Sequence, residues 1–82
     1  GEGVASAVDI TSRKVVEEAL SCNAVRVALA HNHVSGIAAY SAADVASTRQ
    51  LSRILAAVDI KLVDHFILAG DDMVSMRDSG VL

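Results

Sequence analysis

Proline is absent from this chain, tryptophan is absent too, and Tyr40 and Phe66 are the only tyrosine and phenylalanine. Without proline, no loop has its φ fixed by a ring, so an irregular segment must take its shape from glycine or from what it binds. With aromatics at 2% and apolar residues at 52%, the core has to be packed from Val, Leu, Ile and Ala. Cysteine occurs once, as Cys22, which excludes an internal disulfide and favours a reducing, cytoplasmic setting, with Cys22 expected as a buried free thiol. No apolar run approaches the roughly 20 residues of a membrane span, and no apolar leader follows a basic N-terminus, so a soluble chain is expected. Basic residues are few and scattered and the net charge is −3, which argues against a surface that grips phosphate backbones. At 82 residues the chain is a single small domain.

What is present is regular. Residues 4–10, VASAVDI, are compatible with a strand, with Val4, Val8 and Ile10 on one face. Thr11 or Ser12 can cap a helix through SRKVVEEALSC, whose stripe is Val15, Val16, Ala19 and Leu20, and Asn23 closes it. AVRVALA at 24–30 reads as a central strand buried on both faces, interrupted by Arg26. An irregular stretch at 32–40 hinges on Gly36. The segment SAADVASTRQLSRILAAV then places Leu51, Ile54, Leu55 and Val58 at i, i+3, i+4 and i+7, the spacing of a helix stripe. IKLVDHFILAG predicts a strand, Gly70-Asp71-Asp72 a turn and MVSM a short returning strand. The order β, α, β, α, β, β argues for an α/β sandwich with a mixed sheet flanked by helices. No repeat, linker or low-complexity segment interrupts it.

The chemistry concentrates at residues 31–44, HNHVSGIAAYSAAD. On an extended strand His31 and His33 project to the same side, so two imidazoles can close on one cation. Ser41 stands as a helix N-cap with Asp44 three positions on, the spacing of a capping box in which Asp replaces the usual Glu or Gln. The helix dipole favours that carboxylate as an anion. Two imidazoles and a carboxylate are a zinc set that leaves a fourth tetrahedral position for water, whose pKa zinc brings to about 7. On the residues alone the plainer reading also stands: an HxH pair can decorate a strand end, and Ser41 with Asp44 can be a cap and nothing more.

H-x-H, seven residues, then S-x-x-D is the metal-binding part of the motif of the JAB/MPN (JAMM) metalloprotease superfamily. More closely, HNHVSG, the S-x-x-D pair, STRQL, DHFIL and the closing VSMRDSGVL resemble the RadC family, sometimes labelled DNA repair proteins, and ALSCNAVRVALAHNH fits the same pattern. The resemblance covers most of the chain. It implies a JAB/MPN-like, cytidine-deaminase-like α/β sandwich, zinc as cofactor, His31, His33 and Asp44 as ligands, and Ser41 as the hydroxyl that orients the metal's water or the oxyanion. The activity implied is hydrolysis of a peptide or isopeptide bond in a protein or peptide substrate.

Two departures accompany the likeness. Val34 and Tyr40 stand where the family usually has proline, which leaves the ligands in place and predicts a more mobile loop. The motif's glutamate general base is expected upstream of this chain. Glu2 lies too near the first strand to serve, and Glu17 and Glu18 read as exposed helix residues. Without that base a metal-holding chain would forfeit on the order of 10²- to 10⁴-fold in rate. The rival reading is a non-catalytic, metal-containing interaction module linked to DNA repair or mobile elements. If opening elements are missing, their contact surface is bare and a homo-oligomer is expected.

The remaining polar residues have simpler expectations. His65 should point away from Asp64 and satisfy itself on a backbone carbonyl, the alternative being that one of the two buttresses the metal site. Ser75 and Arg77 fit a hairpin strand, though they could border the site. Arg49 and Arg53 fit a solvated helix face, and Asp71 and Asp72 a turn.

Overall fold

The structure is a computed structural model that describes residues 2–6, 12–33 and 36–82, with only the backbone of 2–6. The expected order of elements is the order found: β1 (Glu2–Ser6), α1 (Ser12–Ser21), β2 (Arg26–Asn32), α2 (Ala42–Ala57), β3 (Lys61–Ala69) and β4 (Asp72–Ser75). The strands form one mixed sheet in the order β1-β2-β3-β4, parallel across the first three and antiparallel at the β3–β4 hairpin. Two crossovers of the same hand, each stepping one strand along the sheet, put their helices on the same face. Accordingly α1 and α2 touch, and Val15 and Ala19 of α1 share one core with Leu51 and Leu55 of α2, Val27 and Leu29 of β2, and Leu62 of β3.

That core is aliphatic, as the composition requires, and the largest fully enclosed side chains among the described residues are Leu55, Ile67 and Met76. The apolar stripe of α1 is narrower than its sequence suggests, because Val15 and Ala19 are buried while Leu20 is 53% exposed. On α2, Leu51 and Leu55 face the sheet, whereas Ile54 and Val58 lie at the margin. Ser12 sits inside α1 rather than at its cap, and Thr11, with the predicted strand residues 7–10, lies outside the described residues. Asn23 ends the helix region as expected, in the left-handed conformation at φ 55°.

Two expectations are corrected. Cys22 is exposed, not buried, because α1 stops at Ser21 and the turn through Asn23 carries Cys22 off the buried stripe; its Sγ–H reaches only the Ala19 carbonyl, at 3.6 Å. β2 is central but buried on one face only: Val27 and Leu29 are buried toward the helices, while Ala28 and Ala30 are half-buried. The face they share carries Phe66 and Leu68 of β3 and the exposed Met73 of β4, and no described helix covers it.

One irregularity matters for the site. Val27 pairs with Leu62 but Ala28 pairs with Asp64, so β3 carries a bulge with Val63 as the extra residue. Side chains alternate along a strand, and an extra residue reverses which face the rest of it presents. Leu62 faces the helices before the bulge, and His65, the register partner of Leu29, faces them after it.

Candidate metal centre

His31 ends β2 beside Asn32, and His33 follows at once, its backbone N–H donating to the Leu68 carbonyl at 2.7 Å so that the chain stays against β3 past the end of β2. The two imidazoles meet edge to face, with ring centroids 4.6 Å apart and planes at 84°. Gly36, at φ 81°, turns the chain back through an N–H bond to the His33 carbonyl at 3.3 Å, in a backbone region that L side chains rarely adopt. Val34 lies outside the described residues, while Tyr40 is half-buried just before the helix.

Ser41 and Asp44 form the capping box predicted from their spacing. The Asp44 N–H donates to Ser41 Oγ at 3.1 Å, and Asp44 Oδ2 accepts from the Ser41 N–H at 2.8 Å. Accepting that bond does not use the proton of the Ser41 hydroxyl, which stays able to donate. The Ser41 backbone N–H is the main influence holding the Asp44 carboxyl below the usual range; burial opposes it, and the Ser41 side chain, His31 and His33 add to it. The carboxylate therefore lies within the electrostatic reach of both imidazoles. In donor chemistry the three side chains suit zinc, being two imidazoles and a carboxylate. Among the described residues, however, no three His, Cys, Asp or Glu side chains are drawn together closely enough to hold an ion. The capping box directs one oxygen of Asp44 toward Ser41 instead.

The side chain that sequence reasoning undervalued is His65. Its Nδ1 is hydrogen-bonded to Thr48 Oγ1 at 2.8 Å, not to a backbone carbonyl. Its ring lies nearly parallel to that of His31, centroids 6.1 Å apart and planes at 25°. Burial is the main influence lowering its pKa, reinforced by His31 and opposed by Asp44 and Asp64. Thr48 is itself buried, one helical turn after Asp44 on the same face of α2. The signal available in the sequence was a hydroxyl at i+4 from the candidate ligand, inside STRQL.

Asp64 points the opposite way, as expected, and is 7% exposed. Its Oδ1 accepts the backbone N–H of His65 at 2.7 Å and of Arg77 at 3.0 Å, and its Oδ2 accepts the Ser75 hydroxyl. Burial alone would raise its pKa, but the Ser75 hydroxyl, the Arg77 and His65 N–H groups and the Arg77 charge outweigh that and hold it low. Arg77 completes the clasp, its guanidinium donating to the carbonyls of Val63, at the bulge, and Leu62. Ser75 and Arg77 thus fasten the bulge rather than border the histidines. Arg49 is not merely solvated, since its Nε donates to the Val81 carbonyl at 2.9 Å. Glu17 and Glu18 are exposed on α1, and Glu17 pairs with Arg13 at 2.9 Å.

Comparison with known proteins follows the same outline. The sequence model of the RadC-like JAB domain matches residues 1–81. A UPF0758 protein of Bordetella parapertussis is 49% identical over 80 residues, covering 98% of this chain and 36% of its own length. A UPF0758 protein of Photobacterium profundum is 42% identical over 81 residues, covering 99% and 36%. A third, from Vibrio vulnificus, is 44% identical over 79 residues, covering 96% and 35%. The chain thus spans little more than a third of the length of these relatives. No described helix is long and apolar enough to cross a membrane.

Proposed function

Because the chain belongs to the RadC-like JAB domain family, we propose that it carries the zinc site of a metallohydrolase of peptidase or isopeptidase type, held by His31, His33 and Asp44. The observation that carries this reading is the edge-to-face pair of His31 and His33 at the end of β2, with the Asp44 carboxylate held ionised mainly by its cap at the start of α2 and, to a lesser degree, by both imidazoles. When bound, zinc supplies Lewis acidity and an activated water for attack on an amide carbonyl. The chain's own part is positional. The capping box fixes the Asp44 carboxylate at the opening of α2, and the Ser41 hydroxyl would donate a hydrogen bond that orients the metal's water or steadies the carbonyl oxygen as negative charge develops there. The substrate class is a protein or peptide, and the setting is the cytoplasm, in keeping with a lone cysteine.

The test is metal content. Tag-free protein purified without added metal is expected to hold about one zinc per chain, as a three-ligand site with an open position would. His31→Ala and Asp44→Ala should each weaken zinc binding by tenfold or more, and equal zinc retention in either variant would mean that other side chains are the ligands. A second reading, a non-catalytic interaction module linked to DNA repair or mobile elements, draws on one observation: Glu17 and Glu18 lie exposed on α1. A zinc-loaded chain that cleaves no peptide, beside a longer relative that does, would favour it for this segment alone.

A further inference from the structure

Three imidazoles, the only histidines of the chain, converge on one corner of the helix-covered face, and the zinc reading uses two of them. We propose that His65 is the positioning residue of this site: fixed by Thr48, its ring forms the wall against which the His31 ring is set.

Three features of the fold lead there. His65 pairs in register with Leu29, and His31 with Ile67, so His65 is the diagonal neighbour of His31 on the same face of adjacent strands. Their near-parallel rings at 6.1 Å lie within the range over which aromatic pairs interact. The Thr48 bond joins β3 to the same face of α2 that begins with Asp44, so one hydrogen bond fastens the element bearing the carboxylate to the strand beside the one bearing His31. Thr48 is 3% exposed, and a buried hydroxyl aimed at one imidazole nitrogen limits how that ring can turn. His65 reaches this face only because of the bulge at Val63, which Arg77 holds from the other side.

A side chain that orients a metal ligand commonly contributes 10- to 100-fold in metal affinity when it is intact. The inference rests on the zinc reading for its purpose, but the placement of the His31 ring can be read without any metal. The experiment compares the unmodified chain with Thr48→Val, which removes the hydroxyl at constant shape, and Thr48→Ser, which restores it. Two quantities are measured: zinc affinity by competition with a chromogenic chelator, and the His31 ring signals in long-range ¹H–¹⁵N spectra of the metal-free protein.

In Thr48→Val the His31 ring signals are expected to shift and broaden and zinc affinity to fall about tenfold, with both recovered in Thr48→Ser. His31 ring signals unchanged in Thr48→Val would overturn the proposal, whatever the zinc affinity. If the unmodified chain takes up no zinc, the zinc reading fails and the ring signals alone decide this one. Should Thr48→Val not fold, His65→Phe and His65→Ala replace it: the phenyl ring should keep the His31 signals near their original positions and alanine should not, and equal behaviour of the two would overturn the proposal as well.

Discussion

Replacing Asp64 with alanine should be among the most damaging substitutions in this chain, although the residue is not one of the proposed metal ligands. The carboxylate accepts three hydrogen bonds, from the His65 and Arg77 N–H groups and from the Ser75 hydroxyl, while 7% exposed. Bonds to a charged acceptor are worth ~1.5–3 kcal/mol each, and leaving a buried donor unpaired costs ~1–3 kcal/mol. Because the three bonds act as a unit they do not add fully, and about 3–5 kcal/mol is the expected loss, the range for breaking a buried charged network. A domain of this size has roughly 4–12 kcal/mol of stability in all. With a urea m-value near ~1 kcal/mol/M, the midpoint should drop by about 3 M or more, which leaves the alanine variant partly unfolded without denaturant if the unmodified chain lies at the low end of that range. Asp64→Asn should cost only ~1 kcal/mol, because its carbonyl oxygen still accepts both N–H groups and its amide can donate to Ser75 Oγ. Urea titrations followed by circular dichroism separate the two. A midpoint for Asp64→Ala within about 1 M of the unmodified chain would refute the view that this carboxylate holds the β3 bulge and the turn after β4 together.

The same carboxylate sets an acid limit. Its native pKa lies below the ~3.9 of an unfolded aspartate, so its contribution is complete above that value and is lost as pH falls from there through the native pKa. The stability gap between the unmodified chain and Asp64→Asn should therefore stay constant above about pH 5 and shrink below about pH 4, and a gap that widened in acid would contradict the sign. Ser41→Ala removes one half of the capping box and should lower stability by ~1 kcal/mol in thermal melts, with Ser41→Asn costing only a small part of that. Gly36→Ala places a side chain at φ 81° with nothing near its Cβ, so the cost should be backbone strain alone, about 1–2 kcal/mol, visible as a lowered melting temperature. Exposed Cys22 should react with a maleimide in the folded chain about as fast as in urea, and strong protection by folding would restore the buried thiol that the sequence suggests.

The elements and the sheet's mixed character were legible because the segments carry their own patterns: Leu51, Ile54, Leu55 and the C-cap Val58 repeat at i, i+3, i+4 and i+7 through α2, and the stretch at 24–30 that contains most of β2 is an apolar run of strand length. The capping box was legible too, being a local pattern three residues apart. Less legible was anything that depends on strand register. The run in β3 carries Leu62 and His65 to one face, an odd spacing that only a bulge allows, and no local period announces it. The clue is the Asp64-His65 pair inside an otherwise apolar strand, since a carboxylate there must find donors, and the donors come from residues 75 and 77. Cys22 was misjudged for a related reason: three positions beyond Ala19 it would continue the buried stripe, but the helix has already ended.

The two readings of Ser41 and Asp44, helix cap or metal centre, are not rivals once the geometry is considered. A capping box uses one carboxylate oxygen and one hydroxyl lone pair. Here these are Asp44 Oδ2 and the lone pair of Ser41 Oγ that receives the Asp44 N–H. The chemistry proposed for the pair calls on different capacity, namely the carboxylate's remaining coordination and the hydroxyl's own proton. Folding α2 thus orders both side chains of the proposed site at the helix N-terminus, where the dipole and the Ser41 N–H keep the carboxylate ionised, the form a cation requires. It follows that Asp44→Asn, which can still accept from the Ser41 N–H but carries no charge, should keep most of the helix stability while losing zinc affinity by tenfold or more. If stability and zinc affinity instead fell together in that variant, the cap and the metal ligand would be one interaction, and the division of labour argued here would be wrong.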